Sequence, residues 1–391
     1  MAVNGKSPTS EDLVARARAL APKLRERSEE CERLRRAPEA TIADFLENDF
    51  HRMMQPKRFG GFELGWDALC ECAIEWARGC GSQAWVMMVY NDHVQKIGMC
   101  SAELQDEIWG ADPGALISSS FQPVGKVEKK NGGYAISGRW TFSSGIDHAK
   151  WLIVGGMVHG DKGPPQWTYF VVPKSVAKVI DDWHVAGLAG TGSKSFTIDE
   201  AFVPAHRIIG EEESTDGHGP GVRPDSPAVY RFPRKGAGLA LASVPVGVAM
   251  GMLDDFKKIA SDKARRGRRT LADPATALRV AESSAELDAA WWSVVGSARE
   301  TMRALELGET LSVERRLTNR RNAGFAALMA QRASERIFAA AGGTAIYKSS
   351  AMQRSFRDVH AGANHIGVSW DYSAAGYGEY MIGHEPAPGG Y

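Results

Sequence analysis

Residues 116–158, LISSSFQPVGKVEKKNGGYAISGRWTFSSGIDHAKWLIVGGMV, decide how the chain is read. Before them apolar residues recur at helical spacing. From Ala115 they alternate, which is the period of strands. Asn131-Gly132-Gly133 lies between two alternating runs and predicts a tight hairpin. Further strands are expected at 166–172, 178–184 and 194–203, closed by Pro204. Residues 115–210 are too few for a large sandwich and enough for a small barrel packed on helices. Two segments in this region carry chemistry. Ser118, Ser119 and Ser120 place three hydroxyls in a row on one strand. In residues 138–145, GRWTFSSG, strict alternation puts Trp140 and Phe142 on one face and Thr141 and Ser143 on the other. One face suits a flat ring, while hydroxyls or backbone N–H groups reach its heteroatoms. An ordinary hairpin with serines at its turn fits the same residues.

Helices flank this region. Residues 9–35 read as an amphipathic helix capped by Thr9 or Ser10, with Leu13, Ala17, Leu20 and Leu24 inward and a kink or break at Pro22. Another helix follows Pro38, with Ile42, Phe45 and Leu46 inward, and a glycine-rich loop covers 58–65. A long apolar helical region at 66–98 is interrupted near 79–82, and a short helix covers 101–109. Trp85, Met87, Met88 and Tyr90 form an apolar stripe of the kind that usually packs a core. Either core or cleft suits His93 just beyond it. Residues 211–228 are polar and rich in Gly and Pro, a surface loop or linker. Helical periodicity returns in four segments, 236–260, 275–307, 311–342 and 350–380, which predict an antiparallel four-helix bundle. Their small residues and the pair Trp291-Trp292 suggest a buried subunit interface. The expected division is a helical domain at 1–114, a β domain at 115–210, a linker at 211–235 and a helical bundle at 236–391.

Lys plus Arg balances Asp plus Glu at 47 each, so no electrostatic pull toward nucleic acid or anionic membrane is expected. The five Cys include no C-x-x-C pair, which suggests neither a zinc site nor a disulfide framework, and a reducing cytoplasm is the expected home. The N-terminus lacks the apolar core of a secretory signal, and no run of about 18 apolar residues predicts a membrane span. No metal is expected.

Residues 340–367, AAGGTAIYKSSAMQRSFRDVHAGANHIG, hold a second group of chemical residues. Gly342-Gly343 permits a close backbone approach, Arg354, Arg357 and Asp358 form a charged cluster, and His360 and His365 follow. Imidazoles beside an Arg-Asp pair suit proton handling. A helix end with surface histidines fits equally.

Together, the order of helices, strands and helices, the segments ISSSFQPVG, SGRWTFSSGIDHAKW and AFVPAHRIIG, and the C-terminal GG…RSFRDVHAG resemble the acyl-CoA dehydrogenase fold over nearly the whole chain. Within that fold the chain looks most like the oxygenase components of two-component flavin-dependent monooxygenases. The dehydrogenases place a carboxylate base shortly after the R-D pair. Here HAGANHIG offers His365 instead. The resemblance implies His93 and His365 as catalytic imidazoles, with the division between substrate and flavin sides open. It implies Ser119 and Ser144 as flavin-contacting serines, Ser144 near flavin N5. It implies Arg231 at the pyrimidine edge and Arg265 at a phosphate across a subunit interface. Ser118, Trp140, Phe142, Ser143, Gly342 and Gly343 complete the expected cofactor set. Trp85, Met88 and His93 are expected at the substrate.

The resemblance further implies reduced flavin, FMNH2 before FADH2, delivered by a separate NAD(P)H:flavin reductase. The chain has no GxGxxG fingerprint of its own, in agreement. Oxygen would add at flavin C4a to give a hydroperoxide that hydroxylates an aromatic, phenol- or indole-like substrate. A homotetramer is the implied assembly. The competing readings are an acyl-CoA dehydrogenase or related flavin oxidase, and a non-catalytic helical binding protein that kept the fold.

Overall fold

The computed structural model describes residues 7–160, 163–233, 238–265 and 274–385. The N-terminal part consists of α1 (Ser10–Glu26), α2 (Ser28–Leu34), α3 (Glu39–Glu47), α4 (Trp66–Gly79), α5 (Gly81–Gly98) and α6 (Ala102–Trp109). Thr9 caps α1 in a reciprocal capping box with Asp12. Pro22 lies inside α1, and the helix instead ends at Arg27, which also starts α2. The stripe Leu13, Ala17, Leu20 and Leu24 is buried on both sides of Pro22, and this packing holds the turn that Pro22 leaves one donor short. In α5 every residue except Asp92 is buried, so this helix is enclosed on all sides and carries its polar residues into the interior.

The strands are β1 (Ile117–Lys130), β2 (Gly133–Ser143), β3 (Trp151–Val158), β4 (Gln166–Pro173), β5 (Lys178–Ile180), β6 (Lys194–Pro204) and β7 (Ile208–Gly210). They form one sheet in the order β5-β6-β2-β1-β3-β4-β7. The sheet is open, in place of the closed barrel expected from the sequence: its edges are β5 and β7, three residues each. β1 changes partner along its length. Ile117 to Ser120 run parallel to β3, and beyond a register shift residues 126–130 pair antiparallel with β2. The sheet has its own apolar interior, with Trp140, Phe170, Phe196 and Val203 at its centre.

The C-terminal part holds α7 (Glu211–Thr215), α8 (Leu239–Arg265), α9 (Pro274–Trp291), α10 (Ser297–Glu306), α11 (Val313–Ala341), α12 (Ala351–Ala363) and α13 (Trp370–Met381). α9 and α10 are joined without a break by a π-helical turn, Trp292–Gly296. The stretch Leu239–Ser261 of α8 is apolar enough to cross a bilayer, with a mean hydropathy of 1.4, but 78% of it is buried as the central helix of this half. The fourth expected helix is broken between α12 and α13. Around the break the chain passes close to the start of α8: a Cβ on Gly238 would stand 2.2 Å from the Gly367 carbonyl oxygen.

Within the linker expected at 211–235, residues 229–232 are packed down. The Tyr230 hydroxyl donates to the Met54 carbonyl at 2.9 Å, Phe232 stacks on Trp66 with centroids 4.8 Å apart, and Val229 is buried beside them. Aromatic side chains anchor a segment whose composition reads as a surface loop.

Candidate active site

α5 lies against the start of β1 and delivers His93 to it. His93 Nδ1 is 2.7 Å from the Ile117 carbonyl oxygen, and Nε2 is 2.8 Å from Ser119 Oγ. A carbonyl only accepts, so Nδ1 carries the proton. In the neutral ring Nε2 then accepts the Ser119 hydroxyl proton, and the free lone pairs of Ser119 Oγ are left to a further donor. Both residues are buried, and the Phe121 ring meets His93 edge-on at 5.7 Å. One turn further along α5, the buried Lys96 ammonium lies over Phe121 and, at 4.1 Å, over Tyr169.

The turn after β2 supplies the next group. Phe142 adopts φ 61°, an unfavourable conformation for a residue with a Cβ. The β2–β6 register shifts here, between Trp140, paired with Phe196, and Ser143, paired with Lys194. This bulge overturns the expected alternation. Trp140 and Ser143 both turn inward, while Phe142 is 62% exposed. The Ser118 hydroxyl donates to the Ser144 carbonyl and lies 2.7 Å from Ser143 Oγ, clamping β1 to the turn. Trp85 of α5 donates its indole N–H to Ser144 Oγ at 3.2 Å. Tyr90 donates to the Gly145 carbonyl at 2.6 Å. Gly145 has φ 71°, and a Cβ there would stand 2.6 Å from the Tyr90 hydroxyl oxygen. Gly145→Ala is therefore expected to cost about 1–3 kcal/mol of stability and to displace Ser144. A lowered thermal midpoint checks this, and an unchanged midpoint would refute it.

His365 lies in the break after α12. The Gly367 N–H donates to its Nδ1 at 3.1 Å, so Nε2 carries the proton in the neutral ring. Its ring is exposed on one side and faces Trp85 at 5.6 Å on the other. Crowding by protein holds its pKa below the usual histidine value. α12 is anchored by buried Asp358, whose Oδ1 accepts the Leu188 N–H at 2.6 Å. Burial pushes this carboxyl up to about 6. Because the folded value lies above the unfolded one, ionising Asp358 weakens the fold as pH rises through 6, at a cost of about 3 kcal/mol. Asp358→Asn keeps an acceptor for Leu188 without the charge. It is expected to raise the melting midpoint at pH 8 and to match the wild type only near pH 3, below the unfolded carboxyl value. A pH series of melting curves checks it.

Several expected residues lie elsewhere. Trp140 is no cofactor wall: it is 1% exposed, stacks on Phe196 and donates to the Gly155 carbonyl at 2.9 Å. Ser118 and Ser143 are fully buried and bonded to one another. Met88 is buried in α5. Arg231 is committed to the carbonyls of Ser226 (2.9 Å) and Leu305 (2.7 Å). Gly342 and Gly343 stand in open space before α12, and that helix of 13 residues, about 20 Å long, separates them from His365. The Arg265 side chain lies outside the described residues. His360 faces Glu335 and Phe356. Sequence reading missed Lys96, Thr191 and Ser193. Ser193 Oγ lies 2.7 Å from both Ser144 Oγ and Thr191 Oγ1. The string GTGS at 190–193 was the available signal, a small polar turn between strands. Among the described residues no cluster of three or more His, Cys, Asp or Glu is arranged to hold a metal.

Comparison with known proteins places this geometry in a class. Residues 7–109 match the acyl-CoA dehydrogenase N-terminal domain and residues 239–370 its C-terminal domain. The oxygenase subunit HsaA of a flavin-dependent monooxygenase from Rhodococcus jostii (strain RHA1) is 33% identical over 93% of this chain and 97% of its own. The oxygenase component of the FADH2-dependent resorcinol hydroxylase of Rhizobium sp. (strain MTP-10005) is 33% identical over 96% and 95%. The crystal structure of 3-HSA hydroxylase from Rhodococcus sp. RHA1 superposes with a TM-score of 0.93 at 31% identity, covering 97% of this chain and 98% of that one. The chain belongs to the oxygenase components of flavin-dependent monooxygenases built on acyl-CoA dehydrogenase domains.

Proposed function

We propose that this chain hydroxylates a phenolic or indole-like aromatic compound with O2 and reduced flavin supplied by a separate NAD(P)H:flavin reductase. The observation that carries the reading is the Ser119–His93 pair. A substrate O–H that meets Ser119 Oγ can pass its proton there while the Ser119 proton moves to His93 Nε2. The Ile117 carbonyl, still bonded to Nδ1–H, stabilises the imidazolium that forms. The substrate oxygen becomes anionic and its ring more nucleophilic.

The residues around the Ser144 turn fit a flavin. The exposed Phe142 ring offers a flat apolar surface, Ser144 keeps hydrogen-bonding capacity, and His365 presents an Nε2–H. When bound, reduced flavin activates O2 for transfer of one oxygen atom. Trp85, which touches both Ser144 and His365, excludes water beside the turn. FMNH2 is the expected form; one relative is named for FADH2, so a head-to-head titration of both decides. A tetramer is the expected assembly, supported by the exposed apolar side chains Ile346, Tyr347, Ile366, Tyr372, Met381 and Ile382 in the C-terminal half.

The test mixes protein and anaerobically reduced flavin with isotope-labelled O2 and a panel of phenols and indoles. Product carrying one labelled oxygen supports the reading. Tightly held oxidised flavin that bleaches on adding an acyl-CoA would replace it with a dehydrogenase.

A further inference from the structure

We propose that Thr191 and Ser193 are positioning residues that fix the direction of the Ser144 hydroxyl, so that it meets the flavin as a hydrogen-bond acceptor only. The site thereby selects the reduced ring over the oxidised one. This inference rests on the reading above, in which Ser144 meets flavin N5.

Four oxygens lie in a row. Ser144 Oγ is 2.7 Å from Ser193 Oγ, Ser193 Oγ is 2.7 Å from Thr191 Oγ1, and Thr191 Oγ1 is 2.8 Å from the Leu188 carbonyl oxygen. The row has three contacts and three hydroxyl protons. A carbonyl has no proton to give, so Thr191 donates to Leu188. The Thr191 proton being spent, Ser193 donates to Thr191, and by the same step Ser144 donates to Ser193. Any other assignment leaves two oxygens under 3 Å apart with no proton between them, a repulsive contact in a buried site. The end of the row is firmly held. The Leu188 carbonyl also accepts the Thr191 N–H at 3.1 Å and the Trp183 indole N–H at 3.3 Å, and the Leu188 N–H is held by Asp358. Leu188 itself sits at φ 53°, a conformation kept only where the surroundings impose it. The Thr191 carbonyl in turn accepts the Gly145 N–H at 2.9 Å, tying the row to the turn that carries Ser144.

At the other end Trp85 donates its N–H to Ser144 Oγ. With its own proton directed to Ser193, Ser144 retains one lone pair and nothing to donate. A reduced flavin carries hydrogen on N5 and can fill that lone pair. An oxidised flavin presents a lone pair at N5 and meets another. No covalent step is involved: the device is a polarity set by Leu188 and transmitted through two hydroxyls.

The experiment measures dissociation constants of the full chain for oxidised FMN, by fluorescence quenching, and for FMNH2, by anaerobic titration. Thr191→Val removes the acceptor that orients Ser193, and Ser193→Ala removes the acceptor that orients Ser144. Each frees the Ser144 proton to face N5. Both variants are expected to lower the ratio of oxidised to reduced dissociation constants by roughly five- to tenfold. Thr191→Ser, which keeps the hydroxyl, is expected to retain the wild-type ratio. The proposal is overturned if Thr191→Val or Ser193→Ala, with a wild-type melting curve, keeps that ratio. It is equally overturned if Thr191→Ser shifts the ratio as Thr191→Val does, since shape and not hydroxyl direction would then matter. If the wild type binds neither redox form, the flavin reading itself falls. If it prefers the reduced form and the variants keep the wild-type ratio, only the relay falls.

Discussion

His93→Ala is expected to hydroxylate its aromatic substrate about 10²–10⁴-fold more slowly while binding reduced flavin as the wild type does. The oxygen it consumes should leave as hydrogen peroxide. The reason lies in what His93 offers: Nδ1–H on the Ile117 carbonyl fixes the tautomer, and Nε2 accepts the Ser119 proton. Without the imidazole, Ser119 has no base behind it and the substrate stays protonated. The defect should therefore depend on pH. A phenol ionises unaided near pH 10, so raising pH toward that value should restore much of the variant's rate. Ser119→Ala should be milder at every pH, because a water can bridge substrate and His93. A His93→Ala enzyme with wild-type yield of product per oxygen at pH 7, or one whose defect does not shrink as pH rises, would remove His93 from the proton path.

The fold was legible from periodicity and composition, and the site only in part, for reasons visible in single residues. Helices α4, α5 and α6 and the β1–β2 hairpin fall where spacing and turn residues put them. The misplacement of Trp140 comes from one dihedral. Alternation is a safe guide along a regular strand; Phe142 at φ 61° breaks it, so Phe142 turns outward while Trp140, before the break, stays in the sheet interior and the two do not share a face. Nothing in GRWTFSSG announces a positive φ at an aromatic. The Gly- and Pro-rich stretch at 211–228 is followed by Tyr230 and Phe232, which pin the chain to the helical core at a point its loop-like composition does not mark. GTGS at 190–193 marks a small polar turn, but the partnership of Ser193 and Thr191 with Ser144 is a property of distance between segments, here the β2–β3 and β5–β6 connections, and leaves no spacing in the sequence. His93 could be singled out only through the resemblance, and its burial against Ser119 depends on how α5 lies across β1.

His365→Ala is expected to lower product formed per oxygen consumed, with a rate loss of about 10²-fold, and to leave substrate deprotonation by His93 intact. The two imidazoles differ in what they can offer. His93 presents a lone pair to Ser119, whereas His365 has its Nδ1 lone pair filled by the Gly367 N–H and presents an Nε2–H. It is a donor, and crowding by the surrounding protein keeps it neutral to lower pH than a free histidine. Two consequences fix the sign of the pH behaviour. Activity lost through protonation of His365 should appear only below the ordinary pKa of 6.5, as an acid limb that His365→Ala lacks. Stability contributed by keeping this ring neutral is complete above 6.5 and is lost as pH falls, because the unfolded chain then binds the proton more readily than the folded one. His365→Gln separates donation from titration. Its side-chain amide supplies an N–H from a similar distance and cannot ionise, so it should recover part of the coupling and show no acid limb. If Gln and Ala are equally poor and both keep the wild-type limb, some other group titrates there, and the donor role assigned to the broken helix after α12 is wrong.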